Sequence, residues 1–186
     1  MGKIPKIAKR VFNGEVFDIY QWKQKMFDGT YRTFERAKTL EGAAIIATVG
    51  NKIVVLRQKQ PGTDWYYSLP GGYLDHPKEP PEKGAMRELF EETGLRPEKV
   101  KYWKKFRSSG RVDADLHVYV AQNCRKTAEP SWDRGGEKIE MKLVSFEQFL
   151  KYTDKPDFKN QAIIIELQKA RIHPKMKREL FKLIYD

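Results

Sequence analysis

Glu88, Glu91 and Glu92 stand at i, i+3 and i+4. On a helix that spacing brings three carboxylates near one face, with Glu88 and Glu92 one above the other. In water they repel. So dense a group of oxygen anions suits a hard divalent cation. Mg2+ in particular accepts a few carboxylates while keeping waters and the phosphate oxygens of a substrate as further ligands. Arg87, four residues before Glu91, is placed to tether one carboxylate and so orient the others. The chemistry indicated is the binding of a divalent cation together with a phosphate-bearing ligand. Taken alone, Glu-x-x-Glu-Glu also fits a solvated acidic face balanced by Arg87 and Lys83, so the surrounding residues decide.

Those residues must hold the three glutamates rigidly. Pro80-Pro81 can open a helix, because a first-turn proline loses no needed N–H, and Gly94 followed by Pro97 closes it. Ala85, Met86, Leu89 and Phe90 supply its apolar face. Upstream, Trp65 to Leu69 is strand-like and runs into Pro70-Gly71-Gly72, where only backbone can approach whatever lies there. Ala43 to Val49 and Lys52 to Leu56, rich in β-branched residues and separated by Gly50-Asn51, are expected as two core strands. Val100 to Phe106, Asp115 to Ala121 and Lys138 to Val144 are expected as further strands. Ser145 is expected to cap a short helix through Glu147, and Asn160 to Arg171 and Pro174 to Tyr185 read as two more helices. Before the core, Tyr20 to Lys23 and Tyr31 to Phe34 flank the turn signal Asp28-Gly29 and predict a hairpin. The expected division is a hairpin region over 1–40, a core over 41–155 and a helical extension over 156–186.

The chain has 186 residues, 40% hydrophobic and 33% charged, an ordinary globular balance. No apolar run approaches the roughly 20 residues of a membrane-spanning helix. Met1 to Arg10 carries four basic residues without an apolar core and is not expected to be a secretory signal. The single cysteine, Cys124, lies in a strand-like run and cannot form an internal disulfide, which suits the cytoplasm. A net charge of +11 favours anionic partners, nucleotide or RNA, without choosing between them. His76, His117 and His173 lack metal-ligand spacing; His117 reads as a strand residue and the others as surface.

From Gly72, the stretch Gly-Tyr-Leu-Asp-His-Pro-Lys-Glu79, seven residues, then Arg87-Glu88-Leu89-Phe90-Glu91-Glu92-Thr93-Gly94-Leu95 resembles the Nudix box, G-x5-E-x7-R-E-U-x-E-E-x-G-U with U aliphatic. The match from Glu79 to Leu95 is complete. Six residues rather than five separate Gly72 from Glu79, an insertion in the Asp75-His76-Pro77-Lys78 loop, ahead of the helix. The resemblance implies an α/β/α sandwich with a mixed central sheet, holding Mg2+ or Mn2+. It implies Glu88 and Glu92 as the principal metal ligands, Glu91 as an additional one and the Gly72 carbonyl as a backbone ligand. Glu79 is implied as a supporting residue behind them.

More weakly, and over most of its length, the chain is similar to ADP-ribose and nucleoside-diphosphate-sugar pyrophosphatases. Phe34-Glu35-Arg36 resembles the segment those enzymes use near the adenine and for dimer formation, which makes Glu35 and Arg36 candidate substrate contacts and a homodimer the expected state. Trp65, at the entrance to Leu69-Pro70-Gly71-Gly72, is also similar; Trp65 or Tyr66 is either core or a base-stacking platform. A glutamate on the loop before the last strand can be the catalytic base in that family. Gly135-Gly136-Glu137-Lys138-Ile139-Glu140 occupies that position, with Glu137 the first candidate and Glu140 the reserve. The chain departs from the family at Ser108-Ser109-Gly110, where Ser-Pro-Gly is common. It departs again at Gln58-Lys59-Gln60, where Gln-x-Arg is usual and where Lys59 or Arg57 can partly replace the missing arginine. The implied substrate is a nucleotide sugar. Lys101, Lys104, Lys105 and Arg107 keep a second class open, a Nudix hydrolase of dinucleoside polyphosphates or RNA 5' ends. A non-catalytic nucleotide-binding domain would not need the full set of box carboxylates.

Overall fold

The computed structural model describes residues 4–108, 110–132 and 136–186. Its first element is an antiparallel sheet of β1 (Lys9–Asn13), β2 (Asp18–Lys25) and β3 (Tyr31–Lys38). The predicted Asp28-Gly29 turn joins β2 to β3, with Gly29 at φ 85° and Asp28 Oδ1 accepting from the Thr30 N–H at 2.9 Å. Strand β1 extends the expected hairpin. Every residue of its Lys-Arg-Val-Phe-Asn run is exposed, so it carries no inside-outside alternation by which the sequence would mark it.

The central sheet follows. Strands β4 (Gly42–Val49) and β5 (Lys52–Lys59) form its middle, with the short β6 (Tyr66–Ser68) paired to β5 and β7 (Gly71–Tyr73) paired to β4. After the carboxylate helix α1 (Pro81–Thr93) come β8 (Leu95–Arg96), β9 (Lys99–Phe106) and β10 (Val112–Asp113), the last pairing in parallel with β3. Strand β11 (Leu116–Gln122) lies parallel to β4 and antiparallel to β9, and β12 (Arg125–Lys126) pairs with β8. Strand β13 (Lys138–Val144) completes the order β13-β5-β4-β11-β9, followed by α2 (Phe146–Lys151), a 3-10 turn (Tyr152–Asp154), α3 (Gln161–Ile172) and α4 (Pro174–Tyr185).

Successive side chains of β4 and β5 alternate between two cores. Ile45, Ala47, Val54 and Leu56 pack with Ala85 and Leu89 of α1. Ile46, Ile53 and Val55 pack on the other face with Phe149, Ile163, Leu167 and Ile184 from α2, α3 and α4. The result is the expected α/β/α sandwich with a mixed sheet. Each buried Leu or Ile contributes about 1.5–3 kcal/mol of transfer free energy, so α1 is anchored by the side opposite its carboxylates. The C-terminal helices cover the second face of the sheet, and Gln122 of β11 donates to the Leu183 and Ile184 carbonyls.

Two expectations need correction, and one segment the sequence left unassigned gains a place. Cys124 is not in a strand but in the β11–β12 connection, where burial pushes its thiol up to about 11. Trp65 and Leu69 flank the three-residue β6 rather than belonging to it. Gly71 and Gly72 form part of a strand, held by Ala44 and Ala43 of β4.

Gly94 ends α1 at φ 70°, and a Cβ there would overlap the Ala128 carbonyl oxygen, whose own N–H donates to the Gly94 carbonyl. Gly94→Ala therefore combines left-handed strain with a backbone clash. The expected loss of stability is roughly 2–5 kcal/mol, read from urea unfolding at neutral pH; a loss below about 1 kcal/mol would contradict this packing.

Candidate active site

Arg87 organises the carboxylates. Its Nε donates to Glu79 Oε1 at 3.2 Å and pairs with Asp75 Oδ2 at 3.1 Å. Its Nη1 reaches Glu88 Oε1 at 2.9 Å and Glu91 Oε2 at 3.1 Å, and its Nη2 reaches the Tyr73 carbonyl at 3.2 Å. Only a planar guanidinium offers donors in enough directions for such a set. Burial disfavours the Arg87 charge, but bonds and charge from Glu79 and Glu88 outweigh it and hold the group protonated. The hydrogen bond from Arg87 holds Glu79 below the usual carboxylate range, against some burial, and the Asp75 N–H also donates to Glu79, at 2.7 Å. Glu79 thus ties the inserted 75–78 loop to the helix.

Glu88 and Glu92 lie against the glycine pair of β7. The Gly71 N–H donates to Glu92 Oε2 at 2.9 Å. The Glu88 carboxylate occupies the space a side chain at Gly72 would need, its Oε1 being 2.5 Å from an ideal Cβ there. Glu92 is 5% exposed. Burial pushes its pKa well above the ordinary carboxylate value, opposed by the Gly71 N–H and reinforced by the charges of Glu88, Glu137 and Glu91. Glu88 is raised by burial too, with Arg87 opposing. Glu91 differs from both, since it is half exposed and faces Arg87.

Among the described residues no three acidic, histidine or cysteine side chains form a closed metal-binding group. The donor set nonetheless fits a hard divalent cation of the Mg2+ kind, which takes one or two carboxylates and leaves its other positions to water and phosphate. Glu88 and Glu92 are hard oxygen donors crowded together at a cost that a cation would relieve, and the missing Cβ of Gly72 lets the Glu88 carboxylate sit against the backbone there. Glu91, predicted as a further ligand, is turned to Arg87.

Across the sheet edge, Glu137 directly precedes β13, and its charge is felt at Glu88, Glu92 and the Tyr66 phenol. Gln60 Nε2 donates to Glu137 Oε1 at 2.8 Å. Burial, then the charges of Glu137 and Glu92, raise the Tyr66 pKa. Glu140, the reserve base, is instead paired with Arg57 at 3.2 Å, and the Arg57 guanidinium stacks 4.3 Å above the Trp65 ring. Glu35 and Arg36 line a separate cleft of about 620 Å3 with Trp22, Phe34 and Arg111, where Glu35 accepts from Gln21 at 2.8 Å. His117, in β11, has its Nε2 2.7 Å from Oε2 of Glu41, the residue just before β4. Gly135, part of the predicted base loop, and Ser109 lie outside the described residues.

Sequence reasoning passed over Gln60 and Asp75. Asp75 was readable only as part of the inserted loop. Gln60 drew notice as a lost arginine, yet its partner is 77 residues away, beyond any local pattern.

A carboxylate-bearing helix set against a glycine pair in an α/β/α sandwich is the arrangement of a phosphoanhydride hydrolase. The NUDIX domain family model matches residues 38–166, and the chain belongs to the Nudix family as a Nudix pyrophosphatase. It is 31% identical over 152 residues to the ADP-ribose pyrophosphatase of Bacillus subtilis, covering 80% of this chain and 82% of that one. It is 25% identical over 175 residues to the methanol dehydrogenase activator of Bacillus methanolicus, covering 92% and 94%. A solved structure described as an ADP compounds hydrolase superposes with a TM-score of 0.75 at 21% identity, covering 94% of this chain and 91% of that one, and shares the fold. A divalent metal ion is the cofactor class of the family. Among the described residues no helix is long and apolar enough to cross a membrane.

Proposed function

We propose that this chain hydrolyses the diphosphate bridge of ADP-ribose, or of a related nucleoside-diphosphate sugar, to a nucleoside monophosphate and a sugar phosphate. The reading includes Mg2+ as cofactor, with Mn2+ able to replace it, and a cytoplasmic setting consistent with the buried, unpaired Cys124. The observation that carries it is the convergence of Glu88 and Glu92 on Gly71 and Gly72 within the field of Glu137.

Glu88, Glu92 and the Gly72 backbone would hold the metal, with Glu91 an additional ligand if Arg87 released it. When bound, the metal supplies charge neutralisation for the diphosphate and a more acidic water. Arg87 keeps Glu88 pointed at the glycine pair and limits repulsion within the cluster. Glu137 takes the proton from the attacking water as its oxygen bonds to phosphorus, and the P–O bond to the other phosphate breaks, that phosphate leaving as an anion. Glu140 serves the site indirectly by holding Arg57 over Trp65, and that stacked pair offers a flat, cationic surface to the substrate. The nucleobase end is assigned to Glu35 and Arg36. Their sheet exposes Val11, Phe12, Val16, Phe17 and Phe34, and we assign that apolar surface, within 1–40, to a homodimer.

The test is a substrate panel with Mg2+: ADP-ribose, other nucleoside-diphosphate sugars, dinucleoside polyphosphates and triphosphorylated RNA. The highest kcat/KM is expected for ADP-ribose or another diphosphate sugar. Faster turnover of RNA, with strong salt dependence, would overturn the assignment in favour of the +11 surface.

A further inference from the structure

Strands β5 and β13 pair up to Lys59 opposite Lys138. One step further along the same register stand Gln60 and Glu137, the first residues beyond both strands. Their side chains continue the ladder, Gln60 Nε2 donating to Glu137 Oε1 at 2.8 Å. The backbone of Gln60 is itself fixed. Its N–H donates to Thr63 Oγ1 at 3.0 Å, and its carbonyl accepts from the Thr63 N–H and hydroxyl, each at 3.1 Å, closing a turn across Pro61 and Gly62. A donor carried on a fixed backbone therefore grips the carboxylate just outside the strand. Gln60 is exposed and Glu137 only partly buried, so the bond adds little to stability. What it does is restrict where Glu137 points.

We propose that Gln60 is a positioning residue for the hydrolysis, holding the Glu137 carboxylate toward Glu88 and Glu92; this rests on the reading of Glu137 as the base. The amide suits that task because it is neutral. It occupies one carboxylate oxygen, leaves the negative charge in place, and leaves the second oxygen to receive a proton. A cation in its place would also hold the carboxylate but would weaken it as a base by stabilising the anion.

The experiment is a double-mutant cycle on the full chain with Mg2+ and the best substrate of the panel, measuring kcat, KM and melting temperature. Glu137→Gln should lower kcat by about 10²-fold. Gln60→Ala should lower kcat by about tenfold with KM and melting temperature nearly unchanged, the loss expected when a proton acceptor is held less well. Gln60→Glu, similar in shape but without the donor and with a like charge, should lose more. In the Glu137→Gln background Gln60→Ala should cost less than about twofold, because there is no base left to hold. Equal losses in both backgrounds, an effect on KM alone, or wild-type kcat in Gln60→Ala would overturn the proposal while leaving the base assignment standing. Wild-type kcat in Glu137→Gln would remove the base assignment and the proposal with it.

Discussion

Replacing Glu92 with glutamine is expected to lower kcat by roughly 10³-fold and, in the absence of added metal, to make the protein more stable at neutral pH. The two effects have one cause. Glu92 is 5% exposed, accepts one backbone hydrogen bond and lies beside the charge of Glu88, so its negative charge disfavours the metal-free fold. Glutamine keeps the shape, and its amide oxygen can still accept from Gly71. It removes the charge that a cation and a diphosphate substrate require. The pH dependence follows from the direction of the shift. Folding raises the pKa of Glu92 above its unfolded value, chiefly by burial. Within the window from the ordinary carboxylate value up to the raised one, the folded chain keeps a proton that the unfolded chain has lost. Stability therefore falls as pH rises through that window and stays lower above it. The glutamine of the Glu92→Gln variant cannot ionise, so that part of the fall should vanish. Urea midpoints at several pH values in EDTA, alongside kcat with Mg2+, provide the check. Activity within about tenfold of wild type, or the same pH slope in both proteins, would contradict the placement of Glu92.

What was legible in the sequence, and what was not, divides along the range of the interactions. The α1 carboxylates and their end signals, Pro80-Pro81 and Gly94, follow from local helix rules, and the helix runs Pro81–Thr93 with Gly94 in the left-handed conformation. The unequal fates of the three glutamates do not follow from spacing. Glu92 is buried because β7 pairs with β4 and brings the Gly71 N–H to it, while Glu91 is taken by Arg87. Nothing in Pro-Gly-Gly advertises a strand, since glycine has low β propensity. Tertiary pairing supplies it. The C-terminal helices were legible by period as helices. Their charge leaves open what they pack against, and Ile163, Leu167, Ala170, Leu180 and Ile184 carry them into the second core. Long-range partners such as Gln60 and Glu137, or Arg57 and Glu140, depend on the β5–β13 register, which no single segment encodes.

Gly72→Ala is the second large effect, and it separates catalysis from folding. Gly72 is not among the glycines with positive φ, so alanine meets no backbone penalty, and within a paired strand it is favoured over glycine by roughly 0.5–1 kcal/mol. The obstacle is a single side chain. The new Cβ would lie 2.5 Å from Glu88 Oε1 and 2.8 Å from its Cδ, well inside van der Waals contact. Glu88 cannot simply swing away, because Arg87 Nη1 holds the same oxygen at 2.9 Å and its side chain is only 18% exposed. The carboxylate must shift by about an ångström from the glycine pair, enough to cost on the order of 10²-fold in kcat. Melting temperature should be unchanged or slightly raised. Shortening the colliding side chain gives an internal control. Glu88→Asp alone withdraws the carboxylate and is damaging, but in the Gly72→Ala protein it also relieves the clash, so the double variant should lose clearly less than the product of the two single losses. Losses that multiply, or a kcat fall matched by a lower melting temperature, would mean that Gly72 supports the strand rather than the seat of Glu88.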